Sequence, residues 1–390
     1  MMKLMKLGKQ LLAGASALAL LTNTLVTAQA QDETVKVGAN FEQTGYSASY
    51  GLAMLEALEL AVEQRNANGG VLGGRQLEVV SYDNQSDKTE TASVATRLMD
   101  EGVVAILGPG ATDLALAQNP IITTGETLAI LPAATADHLT RDEDGNVLDW
   151  LFRVAFTYTY QGKAAARFAS DQLAAKKAVM VVDQSNDYSV GLADPFKAEF
   201  EALGGEVVAT ESFNGGDSDF MALLTTLQAL EFDVLYLPAF YTEGGLITKQ
   251  ARELGLTQPI LSGHGFASSK LVELATPDYA NDVYYTSHFY TGSEDPAVKQ
   301  FIADFEAKFG KTPDTFAALG YDAANLLFQA IEDAGSTDRQ AVRDALENME
   351  SFSGLTGTFS FDEFHNAVKT APMLHMNGGE IVEVFKVDGN

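Results

Sequence analysis

Two short polar segments have residue types that could bind a carboxylate. Residues 108–113 have the sequence Gly-Pro-Gly-Ala-Thr-Asp, residues 132–136 have Pro-Ala-Ala-Thr-Ala, and each follows an apolar segment predicted to be a strand. Open α/β sheets place their ligand crevices at the carboxyl ends of strands. The hydroxyls of Thr112 and Thr135, with backbone N–H groups at helix starts, can bind a carboxylate without Arg or Lys. Equally compatible with the sequence is that both threonines are helix N-caps.

His264, between two glycines after another predicted strand, is the residue best suited to acid–base catalysis. No nucleophile motif accompanies it, because G-x-S-x-G, P-loop, G-x-G-x-x-G and H-E-x-x-H patterns are absent. Zero cysteines exclude disulfides, thiol nucleophiles and zinc–thiolate sites. A structural or ligand-contacting role for His264 is therefore favoured. We expect neither an enzyme nor a metal or other cofactor, with a secreted hydrolase as the distant alternative.

The elements that position these residues alternate in type from residue 35 onward. Short β-branched segments alternate with longer amphipathic ones, which is typical of βαβ units and a parallel sheet. Strands are predicted over 35–39, 77–82, 103–107, 128–131, 178–183, 206–211, 234–237, 260–262 and 283–286. Helices are predicted over 52–65, 89–101, 162–174, 195–203, 220–229, 245–255, 296–309 and 316–334. These strands are too many for one compact doubly wound sheet, so two similar α/β lobes are expected. Residues 357–362 and 381–387 alternate like antiparallel edge strands.

Composition limits the classes of partner. The 390 residues include 53 acidic and 25 basic side chains, and the formal net charge is −28. A chain this acidic repels a phosphate backbone, so no nucleic-acid partner is expected. Hydrophobic residues make up 46% and charged residues 20%, an ordinary globular composition.

Residues 1–30 have the features of a secretory signal peptide. Three lysines precede an apolar segment over residues 11–21, and Ala28-Gln29-Ala30 supplies the small residues that a signal peptidase accepts. The apolar segment is shorter than the roughly 20 residues that a membrane-spanning helix needs, so a retained anchor is the lesser alternative. We therefore expect an exported protein.

A set of short motifs, each weak alone but specific in order and spacing, resembles the periplasmic substrate-binding proteins of ABC importers, of the Leu/Ile/Val-binding type. The resemblance runs from Val35 to the C-terminus. Its carriers are Val35-Lys-Val-Gly38, Thr44-Gly45, Tyr50-Gly51, the Asn-Gly-Gly-Val-Leu-Gly-Gly-Arg segment of residues 68–75, Leu107-Gly-Pro109, Leu131-Pro-Ala-Ala-Thr-Ala136, Arg153, Asp187-Tyr188, Gln250-Ala-Arg252 and Tyr321-Asp-Ala323.

This resemblance implies the type I fold of such proteins: two doubly wound, Rossmann-like α/β lobes joined by a three-segment hinge, with a ligand closed between them. Mapped onto this chain, lobe 1 covers 32–153 and 287–370, and lobe 2 covers 154–286 and 371–390. The resemblance also implies a periplasmic monomer that binds a small molecule and delivers it to an ABC permease in the inner membrane.

Residue by residue, the resemblance implies a ligand site. The loops that hold Thr112 and the Ala133–Thr135 segment would receive the ligand carboxylate. Aromatic residues would border or close over the ligand side chain: Tyr50, Tyr188, Phe240 and Phe316. Core packing is the alternative for these aromatics, above all for Phe316 at the start of a predicted helix.

His264 departs from the pattern, because relatives usually carry a Glu for the ligand ammonium at this position. An imidazole cannot replace that counter-charge. Either Glu243, Asp113 or Asp322 compensates, or the ligand lacks an ammonium. We predict a branched-chain or other apolar amino acid as the ligand and place His264 at the cleft mouth on lobe 2. The alternatives are a non-amino carboxylate, an aromatic acid or an amide, or a sensor that presents its ligand to a receptor.

Overall fold

The computed structural model describes residues 34–389. The predicted signal peptide, residues 1–30, lies outside these residues. No helix within the described part of the chain is both long and apolar enough to cross a membrane.

The first sheet is parallel throughout and has the strand order β2-β1-β3-β4-β5. Its strands are β1 (Val35–Phe41), β2 (Leu77–Asp83), β3 (Ala105–Leu107), β4 (Leu128–Leu131) and β5 (Leu151–Arg153). Every residue of β3, β4 and β5 is buried, as expected for short apolar strands covered on both faces by helices. The carboxyl ends of β1, β3 and β4 therefore meet at one edge of this sheet.

The second sheet has the order β15-β14-β10-β9-β8-β6-β7. Its parallel part contains β6 (Lys177–Asp183), β7 (Glu206–Phe213), β8 (Val234–Tyr236), β9 (Ile260–Ser262) and β10 (Val283–Thr286). The C-terminal hairpin, β14 (Ala371–Asn377) and β15 (Glu380–Val387), adds antiparallel to β10. The prediction of an antiparallel edge strand near the C-terminus is therefore confirmed for β15.

Helices cover both sheets. They are α1 (Ala48–Ala67), α2 (Lys88–Asp100), α3 (Thr112–Thr124), α4 (Tyr158–Asp171), α5 (Asp187–Ala202), α6 (Met221–Leu227), α7 (Tyr241–Glu253), α8 (Lys270–Ala275), α9 (Pro296–Phe309), α10 (Thr315–Ala334) and α11 (Arg339–Glu347). Helix α10 packs closely on α1, because a Cβ at Gly320 would lie 2.7 Å from the backbone of Met54. Side-chain caps such as Asp87 and Asp314 fix helix starts, and the left-handed Gly310 and Gly335 end α9 and α10.

The chain passes between the two sheets three times: after β5, after β10 and before β14. Two doubly wound, Rossmann-like α/β lobes are thus present, and the predicted fold class is confirmed. The exact lobe limits stay a prediction.

Several short elements differ from the prediction. The small third sheet pairs β12 (Gly357–Phe361) between β11 (Phe352–Gly354) and β13 (Ala367–Val368), so β12 is antiparallel but not an edge strand. Strand β5 was not among the predicted strands, because its three residues are too few to leave an alternation pattern. Helices α8 and α11 and strands β11, β13 and β14 were also not predicted.

Candidate functional site

A small closed cavity of about 10 Å³ lies between the two sheets at the carboxyl ends of their strands. Its volume suits about one water molecule, so a ligand of amino-acid size enters only when the two walls separate. Seven predicted site residues line it: Tyr50, Thr112, Ala133, Tyr188, Phe240, His264 and Phe316. Gly110, Ala111 and Gly265 complete the lining. Thr135, Asp113 and Glu243 do not line it. A larger open groove of about 650 Å³, between α8 and the β14–β15 hairpin, contains none of the predicted site residues.

The two predicted carboxylate loops bind each other directly. Thr112 is the first residue of α3, and its Oγ1 accepts the N–H of Thr135 at 3.0 Å. The helix is capped by Ala111 without a side-chain bond, and no helix begins at Thr135. The helix-cap alternative is therefore wrong for both threonines, as is the expectation of a helix start directly after β4.

Two hydroxyls beside these loops are buried without a partner. Thr135 Oγ1 has no hydrogen bond although Thr135 is fully buried. The phenol of Tyr158, which lies beside Thr112, also lacks a partner that meets hydrogen-bond geometry. Buried polar atoms are almost always satisfied, so two such hydroxyls beside the N-terminus of α3 indicate a polar ligand group. The N–H groups in the first turn of α3 have no acceptor within the helix and favour a negative charge.

Glu42 supports the cavity wall, a role that the sequence analysis missed. It follows β1 directly and is fully buried. Its Oε1 accepts the N–H groups of Gly110 at 3.0 Å and Ala111 at 2.9 Å, which fixes the cavity wall that leads into Thr112. Burial raises the pKa of the Glu42 carboxyl to about 7, although both backbone N–H groups oppose that shift. The only sequence signal for this role is an acidic residue placed directly after a buried strand.

The opposite wall is built on the short 3₁₀ turn His264–Phe266. The backbone N–H of His264 donates to Gln161 Oε1 at 3.0 Å, and the N–H of Gly265 donates to the Tyr188 hydroxyl at 2.9 Å. A Cβ at Gly263 would lie 2.4 Å from that hydroxyl, which explains the glycine before His264. His264 is buried in the cavity wall, not at the cleft mouth, so the predicted position is wrong.

Tyr50 connects the two walls. Its ring, carried by α1, stacks on Phe316 with centroids 4.0 Å apart and meets Phe240 edge-on at 5.4 Å. Its hydroxyl donates to the carbonyl oxygen of Gly265 at 2.6 Å and accepts the N–H of Tyr241 at 3.1 Å. Tyr241 begins α7 and Gly265 lies in the 3₁₀ turn after β9, so both partners belong to the side of the second sheet. Tyr50 is thus a hydrogen-bonded clamp between the lobes.

The three acids expected to compensate for His264 are engaged elsewhere. Asp113 accepts the Tyr46 hydroxyl at 2.7 Å and faces Lys88 Nζ at 3.7 Å. Glu243 accepts the N–H of Gly216 at 2.9 Å. Asp322 binds the backbone N–H groups of Leu355 and Thr356 and the Thr356 hydroxyl. The structure does not bring any of the three into the cavity lining.

Replacing Tyr50 by Phe is expected to weaken lobe closure. The change removes two inter-lobe hydrogen bonds, each worth a net 0.5 to 1.5 kcal/mol, so ligand affinity should fall about tenfold. Isothermal titration calorimetry measures the affinity, and small-angle X-ray scattering should show a larger radius of gyration without ligand.

Tyr46→Phe is the matched control. It also removes one tyrosine hydroxyl, but the bond that it breaks, to Asp113, stays on one side of the cleft. If the two variants lost equal affinity, or if Tyr50→Phe changed neither measurement, the clamp role of Tyr50 would be refuted.

A family model described as periplasmic binding protein matches residues 34–380. The chain belongs to this periplasmic binding protein family. The resemblance stated from the sequence motifs is thereby confirmed. The described residues of this family member hold no cluster of groups able to bind a metal ion.

Curated and solved relatives cover nearly the whole periplasmic binding protein. It is 29% identical to the leucine-, isoleucine-, valine-, threonine- and alanine-binding protein of Pseudomonas aeruginosa, over 85% of this chain and 86% of the relative. A branched-chain amino acid transporter substrate-binding protein of Streptococcus pneumoniae, solved with isoleucine, is 38% identical with a TM-score of 0.85, over 91% of this chain and 100% of the other. An ABC transporter solute-binding protein of R. palustris, solved with benzoate, is 25% identical with a TM-score of 0.81, over 91% of this chain and 96% of the other. The family consists of transport binding proteins of ABC importers.

Proposed function

We propose that this protein closes its two lobes on a small apolar carboxylate and delivers it to an ABC permease without chemical change. The observation that carries the proposal is the unpartnered, buried Thr135 hydroxyl beside the N-terminus of α3, next to a cavity that Thr112 and four aromatic rings line. A cavity lining that combines the start of α3 with aromatic rings suits a ligand with a carboxylate and an apolar body.

In this mechanism the ligand carboxylate binds first to Thr112, Thr135 and the first turn of α3. The wall that carries His264 and Tyr188 then closes by hinge motion in the three crossing segments. Closure excludes water from the site, which strengthens each polar contact. Tyr50 completes the closed form through its bonds to Gly265 and Tyr241.

A branched-chain or other apolar amino acid is the first candidate ligand. The relatives that bind leucine, isoleucine or valine, and above all the relative solved with isoleucine at 38% identity, support this candidate. The aromatic and apolar lining also suits a branched side chain.

A non-amino carboxylate, such as an aromatic acid, is the second candidate. One observation favours it: no Asp or Glu side chain lines the cavity within residues 34–389. The relative solved with benzoate shows that a member of this family at 25% identity takes such an acid.

The test is a thermal-shift panel of apolar amino acids and simple carboxylates. A cognate ligand present at 100 times its Kd should add about 2.7 kcal/mol to the free energy of unfolding. The ligand should be recovered unchanged after incubation with pure protein. Absence of a shift from every carboxylate, or measurable consumption of the ligand, would contradict the proposal.

We also propose export to the periplasm through cleavage after Ala30, supported by the lysine-led apolar N-terminus and the family. N-terminal sequencing of the exported protein should then begin at Gln31. A chain that retained Met1 would refute cleavage.

A further inference from the structure

The cavity wall formed by His264 continues into the hinge through a second imidazole. His288 follows β10 in the second crossing segment, and its Nε2 lies 3.1 Å from Nδ1 of His264. The His288 ring stacks on Phe156 of the first crossing segment, with centroids 3.7 Å apart. Both histidines are buried, and burial together with Lys369 lowers the pKa of His264 to about 3 and that of His288 well below its usual value. Both rings are therefore neutral at pH 7.

The surroundings of His288 decide which nitrogen carries its hydrogen. Its Nδ1 is buried and has no hydrogen-bond partner. A hydrogen there would be an orphaned buried N–H, which is rarer in proteins than an orphaned acceptor. The hydrogen of the neutral ring is therefore on Nε2, which donates to Nδ1 of His264.

This choice fixes the tautomer of His264 as well. A neutral imidazole carries one hydrogen, and Nδ1 of His264 is already an acceptor, so the hydrogen is on Nε2. Nε2 of His264 has no hydrogen-bond partner among residues 34–389. Since His264 lines the cavity, this wall offers the ligand an N–H donor.

The groups around His264 do not provide a counter-charge for an ammonium group. Lys369, in the third crossing segment, is buried; its Nζ donates to Thr356 Oγ1 at 2.8 Å and lies 4.9 Å from the centroid of the Phe359 ring. Its charge contributes to the lowered pKa values of both histidines. Burial lowers the pKa of Lys369 itself to about 7, although the Asp322 carboxylate opposes that shift, so the charge of Lys369 is only partly present at pH 7. The carboxyl group of Asp322 acts on Lys369, accepts the N–H groups of Leu355 and Thr356, and does not line the cavity. A ligand ammonium at His264 would meet an N–H donor and would find no carboxylate in the cavity lining.

We infer that the ligand carries an uncharged oxygen acceptor, a carbonyl or hydroxyl, at the position where an α-amino acid carries its ammonium, and that His264 selects it by donating a hydrogen bond. The inference rests on the proposed function and, within it, favours the second candidate over the amino acid, narrowing the ligand to an apolar 2-oxo or 2-hydroxy acid. His288 is a positioning residue that sets the tautomer of His264.

The test is isothermal titration calorimetry of the mature protein against two sets of acids that differ only at C2. One set is leucine with its 2-oxo, 2-hydroxy and deamino counterparts; the other is phenylalanine with the same three counterparts. In at least one set, the oxo or hydroxy acid should bind tenfold or more tightly than both the amino acid and the deamino acid.

Variants separate the donor from the rest of the site. His264→Phe keeps a ring and should abolish the preference over the deamino acid, whereas His264→Asp adds a counter-charge and should shift preference towards the amino acid. His138→Gln, at an exposed histidine outside the cavity, is the matched control and should behave like wild type. If the variants misfold, nitrogen-15 NMR of the wild-type imidazoles still reads the tautomer, and a hydrogen on Nδ1 of His264 would overturn the inference.

The outcomes distinguish this inference from the proposed function. Tightest binding of leucine or phenylalanine, or equal binding of the oxo, hydroxy and deamino acids, would overturn the role of His264 while leaving a carboxylate-binding protein. Binding of none of the eight acids would overturn this inference, and if no carboxylate of the thermal-shift panel gave a shift either, the proposed function would fail as well.

Discussion

Glu42→Gln is expected to stabilise the protein by about 3 kcal/mol at pH 8 and to leave its stability nearly unchanged near pH 4. Burial raises the pKa of Glu42 from 4.5 to about 7 in the folded state, and each unit corresponds to about 1.36 kcal/mol. Between these values the folded state binds more protons than the unfolded state, so the contribution of Glu42 is full below pH 4.5 and is lost as the pH rises through 7. Gln is neutral throughout, and its amide oxygen still accepts from Gly110 and Ala111.

Urea unfolding of the two proteins from pH 4 to pH 8 measures this difference. The histidines, whose lowered pKa values have the opposite effect on stability, are present in both proteins and cancel. Glu201→Gln, at an exposed residue of α5, is the matched control and should follow wild type at every pH. Parallel stability curves for wild type and Glu42→Gln would show that Glu42 is not protonated in the folded state.

Thr135→Val is expected to raise the Kd for the ligand by about 10- to 100-fold while leaving the fold intact. The lost bond joins a hydroxyl to a charged carboxylate, and such bonds are worth roughly 1.5 to 3 kcal/mol. Stability should not fall, because Thr135 Oγ1 makes no hydrogen bond in the closed, described conformation. The backbone N–H that donates to Thr112 is unaffected by the substitution. Calorimetric titration and thermal unfolding measure the two effects separately.

Thr248→Val is the control for Thr135→Val. Thr248 is equally buried, but its hydroxyl donates to the carbonyl of Gly244 within α7, away from the cavity. This control should lose stability and keep affinity. If Thr135→Val instead lost stability but bound the ligand normally, Thr135 would not be part of the ligand site.

The doubly wound lobes could be predicted because each βα unit has a local pattern of alternating short and amphipathic segments. The carboxylate loops could be found because they follow predicted strands directly. Glu42 could not, because the groups that it binds, Gly110 and Ala111, lie 68 and 69 positions further along the chain. The pairing of His264 with His288 is equally invisible, since two buried rings meet only after β9 and β10 pair.

Three acidic residues were predicted to belong to the ligand site but do not line it. Asp113, Glu243 and Asp322 are near the site in sequence, but backbone N–H groups or surface partners engage each of them outside the cavity. The loop after β4 was expected to begin a helix, yet the carbonyl of Thr135 instead accepts the N–H of Tyr158 at the start of α4. Such contacts depend on the crossing between the lobes and have no local sequence signal.

The threefold crossing of the chain also sets the order in which the protein can fold. Helix α10, which packs on α1 of the first sheet, follows every parallel strand of the second sheet in the chain. The hairpin that completes the second sheet comes later still. Residues 34–153 alone therefore cannot bury the face of α1 that α10 covers. The first lobe is complete only after the contact between α1 and α10 forms, and this contact is slow to form because it is far apart in the chain. The parallel core of the second lobe is built from consecutive βα units and can assemble first.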